Sequence, residues 1–307
     1  MIIDAHNHIF PKVRGVIREG TTHSSGYGNM VVGGNKTTRM LPPYNQQTEF
    51  TPEMLIANLD WAGVEKAVLQ QGTLYGECNE YVLEAIDRYP DRLLGALHAD
   101  PWRVEYRPEF ERMLDTGKFS AVKIEFSENT GLYGVHGSAH LDDEKISWLW
   151  TATKNREVPL VLDLGTAGEP AYQTDAVRSI ATSYPGLKIV VAHLGQPRKQ
   201  AEQNDPEKWK LWKDQLALGK LPNVWFDMSS LPDWEEDFPY PAAEHFLKLA
   251  VDAIGPEKIM WGTDQPGTLR YQNYPTWLRL IQLHVEHLAP DERAMILGGT
   301  ARHVYGA

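Results

Sequence analysis

Short apolar runs of strand length recur along the whole chain and alternate with segments of helical spacing. The runs are Ile2–Ala5, Ala67–Gln70, Leu93–Leu97, Ala121–Phe126, Leu160–Asp163, Ile189–Ala192, Val224–Asp227 and Ile259–Trp261. Helical spacing fills Pro52–Trp61, Glu80–Tyr89, Lys145–Lys154, Gln173–Tyr184 and Ala242–Ile254. Such alternation implies parallel strands joined by crossovers. Eight units are what a closed (β/α)8 TIM barrel, an α/β fold, requires. An open doubly wound sheet is the rival, but no Gly-rich dinucleotide turn follows the first run. The helix signals agree. Thr51-Pro52 puts an N-cap before a proline suited to the first helical position. Pro290-Asp291-Glu292 opens a last helix with acids at its positive end, and Gly298-Gly299 can end it in a left-handed conformation. The 307 residues fit one barrel domain, 1–307, because barrels run to ~250 residues or more as one unit.

The stretch Pro11–Phe50 breaks the pattern. It is rich in Gly, Thr, Asn and Pro and has little periodicity. A loop this long is usually functional or disordered, and this one follows the first strand, on the catalytic side of a barrel. It reads as a lid-like insertion at about 11–50 that covers the pocket or forms part of its wall. A second irregular stretch, Leu231–Tyr240, has the same position after the seventh run.

The net charge of −11 argues against nucleic acid or an anionic membrane as partner and says little about a small substrate. No apolar run approaches the ~20 residues of a membrane span. The opening MIIDAHNHIF reads as a buried strand, not a signal peptide. The single cysteine, Cys78, cannot form an internal disulfide and fits a reducing compartment, so a cytoplasmic location is expected. Cys78 itself reads as an inert buried thiol.

Chemistry gathers at the ends of the runs. His6 and His8 stand two apart after the first strand, so on extended backbone both rings can reach one ion. His193 ends the sixth run and Asp264 follows the eighth, while Lys123 and Glu125 share one face of the fourth. Buried charges need partners or metals. Histidines and acids converging on one rim suggest a divalent cation, zinc or manganese. Gln70 and Tyr75 after the second strand, His98 at the end of the third, Lys123 on the fourth and Arg270 past the eighth are candidates for substrate binding, Arg270 through a substrate carboxylate. The histidines off the strand ends, His136, His245 and His284 among them, read as ordinary surface or helix residues. Trp209, Trp212, Trp225 and Trp277 read as core or interface.

These segments resemble the amidohydrolase superfamily, in particular its amidohydrolase-related branch of aminocarboxymuconate-semialdehyde decarboxylase-like enzymes, resorcylate-type decarboxylases and lactonases. The resemblance rests on IIDAHNHIF, AVKIEF, VVAHLGQP, WGTDQP and ILGGTARHVYG, and spans nearly the whole chain. It implies that His6 and His8 bind metal, that Asp264 touches it and handles a proton of the attacking water, and that His193 polarises the substrate or moves protons. The branch's fifth-strand His-x-Gly is Asp163-Leu164-Gly165 here. Asp163 or Glu125 can then supply the missing ligand, or the metal is lost, as in some lactonases of the branch. A carboxylated Lys123 would imply two metals; the missing histidine favours one.

The reading that follows is metal-dependent hydrolysis of a lactone, cyclic ester or amide of a small carboxylated substrate. A metal-dependent non-oxidative decarboxylase of an aromatic or dienoic acid, a lyase, is the runner-up. A catalytically inactive small-molecule binding protein is the third reading. The homo-oligomeric state is left open.

Overall fold

All eight apolar runs form strands in the computed structural model, which describes residues 1–234 and 237–307. In chain order the strands are β1 (Ile3–Asn7), β2 (Val16–Ile17), β3 (Gly20–Gly26), β4 (Asn29–Val32), β5 (Lys36–Arg39), β6 (Lys66–Leu69), β7 (Leu93–His98), β8 (Ala121–Glu125), β9 (Leu160–Asp163), β10 (Ile189–Val191), β11 (Val224–Met228) and β12 (Ile259–Trp261). β1 and β6 to β12 make one parallel sheet in sequence order. The barrel closes just beyond the regular strands: the Asp264 amide donates to His6 O (2.8 Å), and the His8 amide to Gln265 O (2.6 Å). The strands are apolar runs because helices cover their outer face while the lumen buries the inner one.

The lumen is layered with the strand period of two. Its lower layer is apolar, with Ala5, Val68, Ala96, Ala121, Val161 and Trp225 in one buried cluster. The helix Thr300–Tyr305 closes that end, packing Ala301, Val304 and Tyr305 against the layer. Two residues further along five of the strands the inward positions turn polar: Gln70, His98, Lys123, Asp163 and Asp227. β1 breaks the phase. Its register against β6 shifts between Asp4 and Asn7. Such a bulge reverses facing, so Ala5 belongs to the apolar layer and His6 and His8 still turn inward.

The expected N-cap holds, with Thr51 Oγ1 accepting from the Met54 amide of the helix Pro52–Ala62. The expected end at Gly298-Gly299 does not. Gly298 is extended (φ 174°) and the chain turns straight into Thr300–Tyr305, whose left-handed cap is Gly306 (φ 72°). A side chain at Gly298 would meet Met1 O at 2.6 Å, so that glycine serves the approach of the N-terminal strand.

The stretch 11–50 is not structureless. It carries the antiparallel sheet β2-β3-β4-β5, which lies on the segment following β6. The Arg14 amide donates to Tyr75 O (3.0 Å), Val16 to Thr73 O (3.2 Å), and Thr22 Oγ1 to Leu74 O (2.7 Å). Of Leu231–Tyr240, Glu235 and Glu236 lie outside the described residues. No helix among the described residues is long and apolar enough to cross a membrane.

Candidate active site

The inward turn of β1 brings His6 and His8 to the mouth of the barrel, with ring centroids 5.1 Å apart. Asp227, fully buried on β11, contacts His6 Nδ1 through Oδ2 at 3.1 Å. The other carboxylate oxygen accepts from the His193 amide (3.1 Å) and from Ser229 Oγ. Burial drives the His6 imidazole down to about 4, against the pull of Asp227, so His6 is neutral at pH 7. With the ionised Asp227 as its neighbour, the proton belongs on Nδ1 and the lone pair on Nε2. That Nε2 lies 3.9 Å from Asp264 Oδ1. His8 Nε2 lies 3.1 Å from the same oxygen. Burial pushes the Asp264 carboxyl up, but the His8 hydrogen bond and the His193 charge outweigh it and hold the group well below the usual range.

His193 follows β10 with φ 56°, and Leu194, Gln196 and Asp264 are also left-handed (φ 53°, 51° and 60°). Such backbone is uncommon outside glycine and clusters at functional sites. Both ring nitrogens of His193 are engaged, Nδ1 with Ser229 Oγ (2.8 Å) and Nε2 with Asp163 Oδ2 (3.1 Å). Burial acts downward on this ring, yet Asp163, Asp264 and Asp227 raise it to about 10. His193 is therefore an imidazolium at neutral pH. Asp163 also accepts from the Gly165 amide (3.0 Å). Burial and the neighbouring Asp163 raise Glu125 to about 8, against Lys123 and the Ser127 hydroxyl.

One ligand atom from each of His6, His8 and Asp264 lies within 4.8 Å of the others. Two imidazoles and a carboxylate make a donor set that suits an open catalytic zinc site, and the Asp227–His6 contact is the outer support such ligands usually have. The residues fit a divalent cation. A second group, His6, His193 and Asp227, is already bound to itself through His6 Nδ1 and the His193 amide, so it supports the first. Neither Asp163 nor Glu125 enters either group among the described residues. Asp163 instead holds His193, and Glu125 lies beside it in register on β8.

A cavity of about 360 Å³ opens above these residues. His6, His8, Glu125, Asp163, His193, Asp264 and Tyr75 all line it. Four expected substrate-binding residues do not. Gln70 is buried in the lumen, donating to Ala5 O (3.1 Å). Lys123 is fully buried in the same layer, its Nζ 3.9 Å from Glu125 Oε2. His98 lines a neighbouring cavity. Arg270 turns outward, donating to Gly267 O and Arg39 O, because a short helical turn over Gly267–Arg270 follows the strand. No residue of 11–50 lines this cavity among the described residues; the insertion braces the Thr73–Tyr75 segment from behind and contributes Pro11, Lys12, Arg14, Gly15 and Val16 to the lining of the neighbouring cavity. Sequence reasoning missed Asp227 on β11 and Ser229 just past its end, two apart and in phase with Trp225. It also missed the polar rim of Thr166, Glu169, Gln196 and Arg198, whose signal is its place directly after β9 and β10. Cys78 is buried and its thiol is pushed up to about 11 by burial. His136 and His245 pair with Asp100 and Glu202 away from the site.

An amidohydrolase family model matches residues 3–307, and the chain belongs to that family. It is 31% identical to an L-fucono-1,5-lactonase of Burkholderia ambifaria, over 42% of this chain and 45% of that protein. The match thus spans about half the length of that relative. It is 25% identical to a 4-sulfomuconolactone hydrolase of Hydrogenophaga intermedia, over 73% of this chain and 69% of that protein. An amidohydrolase of Burkholderia multivorans crystallised with bound zinc shares the fold, with a TM-score of 0.70 at 19% identity, covering 100% and 99% of the two chains.

Proposed function

We propose that this chain is a lactonase, a hydrolase that opens the cyclic ester of a small polar acid. The observation that carries the reading is the convergence of His6, His8, Asp264 and the Asp163–His193 pair on one polar cavity. The fucono-lactonase and sulfomuconolactone hydrolase relatives support the same reaction type. His6, His8 and Asp264 would hold one divalent cation. We propose zinc, which the Burkholderia multivorans relative binds; manganese suits the same donors. When bound, such an ion supplies Lewis acidity that lowers the pKa of an attacking water and polarises an ester carbonyl.

The chain's own groups account for the proton movements. Asp264, ionised at neutral pH, takes a proton from the water as its oxygen bonds to the lactone carbonyl carbon. The tetrahedral oxyanion develops near the His193 imidazolium, whose positive charge stabilises it. With both His193 nitrogens engaged, that help is electrostatic rather than a dedicated hydrogen bond. Collapse breaks the ring C–O bond, and Asp264 returns its proton to the departing alkoxide, giving a hydroxy acid. The single free thiol suits a reducing compartment, and the enzyme is proposed to act on its small substrate in the cytoplasm.

A panel of sugar lactones, muconolactones and hydroxybenzoates tests this, scoring acid release against CO2 release before and after chelation. Lactone opening lost on chelation and restored by zinc or manganese is expected. CO2 release without lactone turnover would refute the reading.

A further inference from the structure

A second cavity adjoins the catalytic one, and its chemistry differs. Its volume is about 700 Å³, inside the range of small-molecule sites. The two cavities meet at Tyr75, which lines both. The catalytic cavity is walled by hydroxyl, amide and charged groups, with Leu74 and Tyr75 its large apolar residues. The second has an apolar floor of Cys78, Ala99, Phe110, Met113, Leu132 and Trp148, with charged residues at the rim. Its lining includes His98, Ala99 and Asp100 at and just past the C-terminal end of β7, on the same rim of the barrel as the catalytic residues.

The common wall is held firmly. The Tyr75 ring stacks on Phe10 (4.7 Å) and lies 4.9 Å from the His8 ring. A side chain at Gly15 would come within 1.9 Å of Thr73 O, and one at Gly76 within 2.1 Å of Arg14 O. Insertion and wall therefore fit backbone to backbone, and the two cavities keep a fixed relation on either side of Tyr75. On the floor, His98 Nε2 and Trp148 Nε1 are buried with no hydrogen-bond partner among the described residues. They leave room for one polar linkage in an otherwise apolar occupant.

We propose that the second cavity receives an apolar arm of the same substrate, so that the lactone ring sits beside His8 and Asp264 and its alkyl or aryl substituent passes Tyr75 onto the Phe110–Met113 floor. This rests on the lactonase reading and narrows it to lactones with a sizeable apolar substituent. Because Tyr75 faces both spaces, one substrate bridging them is favoured over an unrelated ligand.

The test is a series of δ-valerolactones bearing no arm, a propyl arm and a hexyl arm, assayed with the full-length protein supplied with zinc. A buried methylene is worth about 0.8 kcal/mol, so kcat/KM should rise about threefold to fourfold per methylene until the floor is covered. Met113→Trp fills the floor, and the hexyl-to-unsubstituted ratio should fall to near one in that variant. Val135→Trp fills the same cavity from its exposed rim and should lower the ratio where Met113→Trp disturbs folding. Turnover of all three lactones at equal kcat/KM would overturn the arm and leave the lactonase intact. A ratio unchanged in a folded variant would do the same. Turnover of no lactone, here and in the wider panel, would overturn the lactonase reading and the arm with it.

Discussion

Replacing Asp227 with asparagine should move a proton on His6 and weaken the site without unfolding the barrel. The carboxylate makes three contacts: Oδ1 accepts from the His193 amide and Ser229 Oγ, and Oδ2 faces His6 Nδ1 at 3.1 Å. An asparagine can keep its oxygen at the first position and save two of them. Its NH2 then points at His6 Nδ1, where two donors cannot coexist. The imidazole must give up the Nδ1 proton and carry one on Nε2 instead. That is the nitrogen turned toward Asp264, so its lone pair is no longer available to a cation. Outer-shell partners of this kind are worth ~10–100-fold in metal affinity or activity, and the same loss is expected here. One charge-assisted hydrogen bond goes, which costs about 1.5–3 kcal/mol of stability. Long-range nitrogen–proton NMR of histidine-labelled protein reads the tautomer directly, and zinc competition reads the affinity. An Asp227→Asn protein with its Nδ1-H signal intact and unchanged zinc affinity would refute this account of His6.

Asp264→Asn removes the acceptor for the water proton, and lactone turnover should fall ~10²–10⁴-fold, read as kcat against a melting temperature near that of the parent. Asp163→Ala removes the first of the charges that raise His193, leaving burial to dominate the ring. In the parent the folded pKa, about 10, lies above the ordinary value of 6.5. The His193 contribution to stability is then full below pH 6.5 and is lost as pH rises towards 10. Denaturant titrations from pH 6 to 10 should show that decline in the parent and a flatter profile in Asp163→Ala. Its lactonase rate should also fall as pH rises through neutrality, where the parent's holds.

The barrel was legible because its strands are buried on both faces. Each appears as a run such as Leu160-Val161-Leu162, without the alternation that leaves hairpins ambiguous. The site was legible where a titratable residue ends such a run, as with His193, Asp264 and Asp163. Asp227 closes a run in the same way, but no motif singled it out as the following Leu164-Gly165 did Asp163, and its partner His6 lies 221 positions away. The bulge in β1 was hidden too. A simple two-residue phase puts His6 on the face opposite Ala5, and only pairing with β6 shows the extra residue. The insertion read as a loop because β3 and β5, GTTHSSG and KTTR, are polar on both faces. What makes them strands is pairing with β4, which no local pattern announces. Arg270 shows the converse. Its position after a strand was right, but the turn that follows aims it at the insertion.

The balance of charge in the lumen gives a further reason for a cation among His6, His8 and Asp264. Burial makes each uncompensated charge expensive. Asp163, Asp227 and Asp264 carry negative charge there, while the raised Glu125 holds its proton near neutrality. Facing them are Lys123 and the His193 imidazolium; His6 is neutral. Asp163 is answered by His193 and Asp227 by a ring N–H, an amide and a hydroxyl. Among the described residues, Asp264 has only the His8 ring as hydrogen-bond partner for its carboxylate, at the open end of the network. The remaining negative charge therefore sits at Asp264, beside the two imidazoles best placed to donate lone pairs. A divalent ion there would neutralise the exposed end of the network and leave the Asp163–His193 pair undisturbed beneath the substrate.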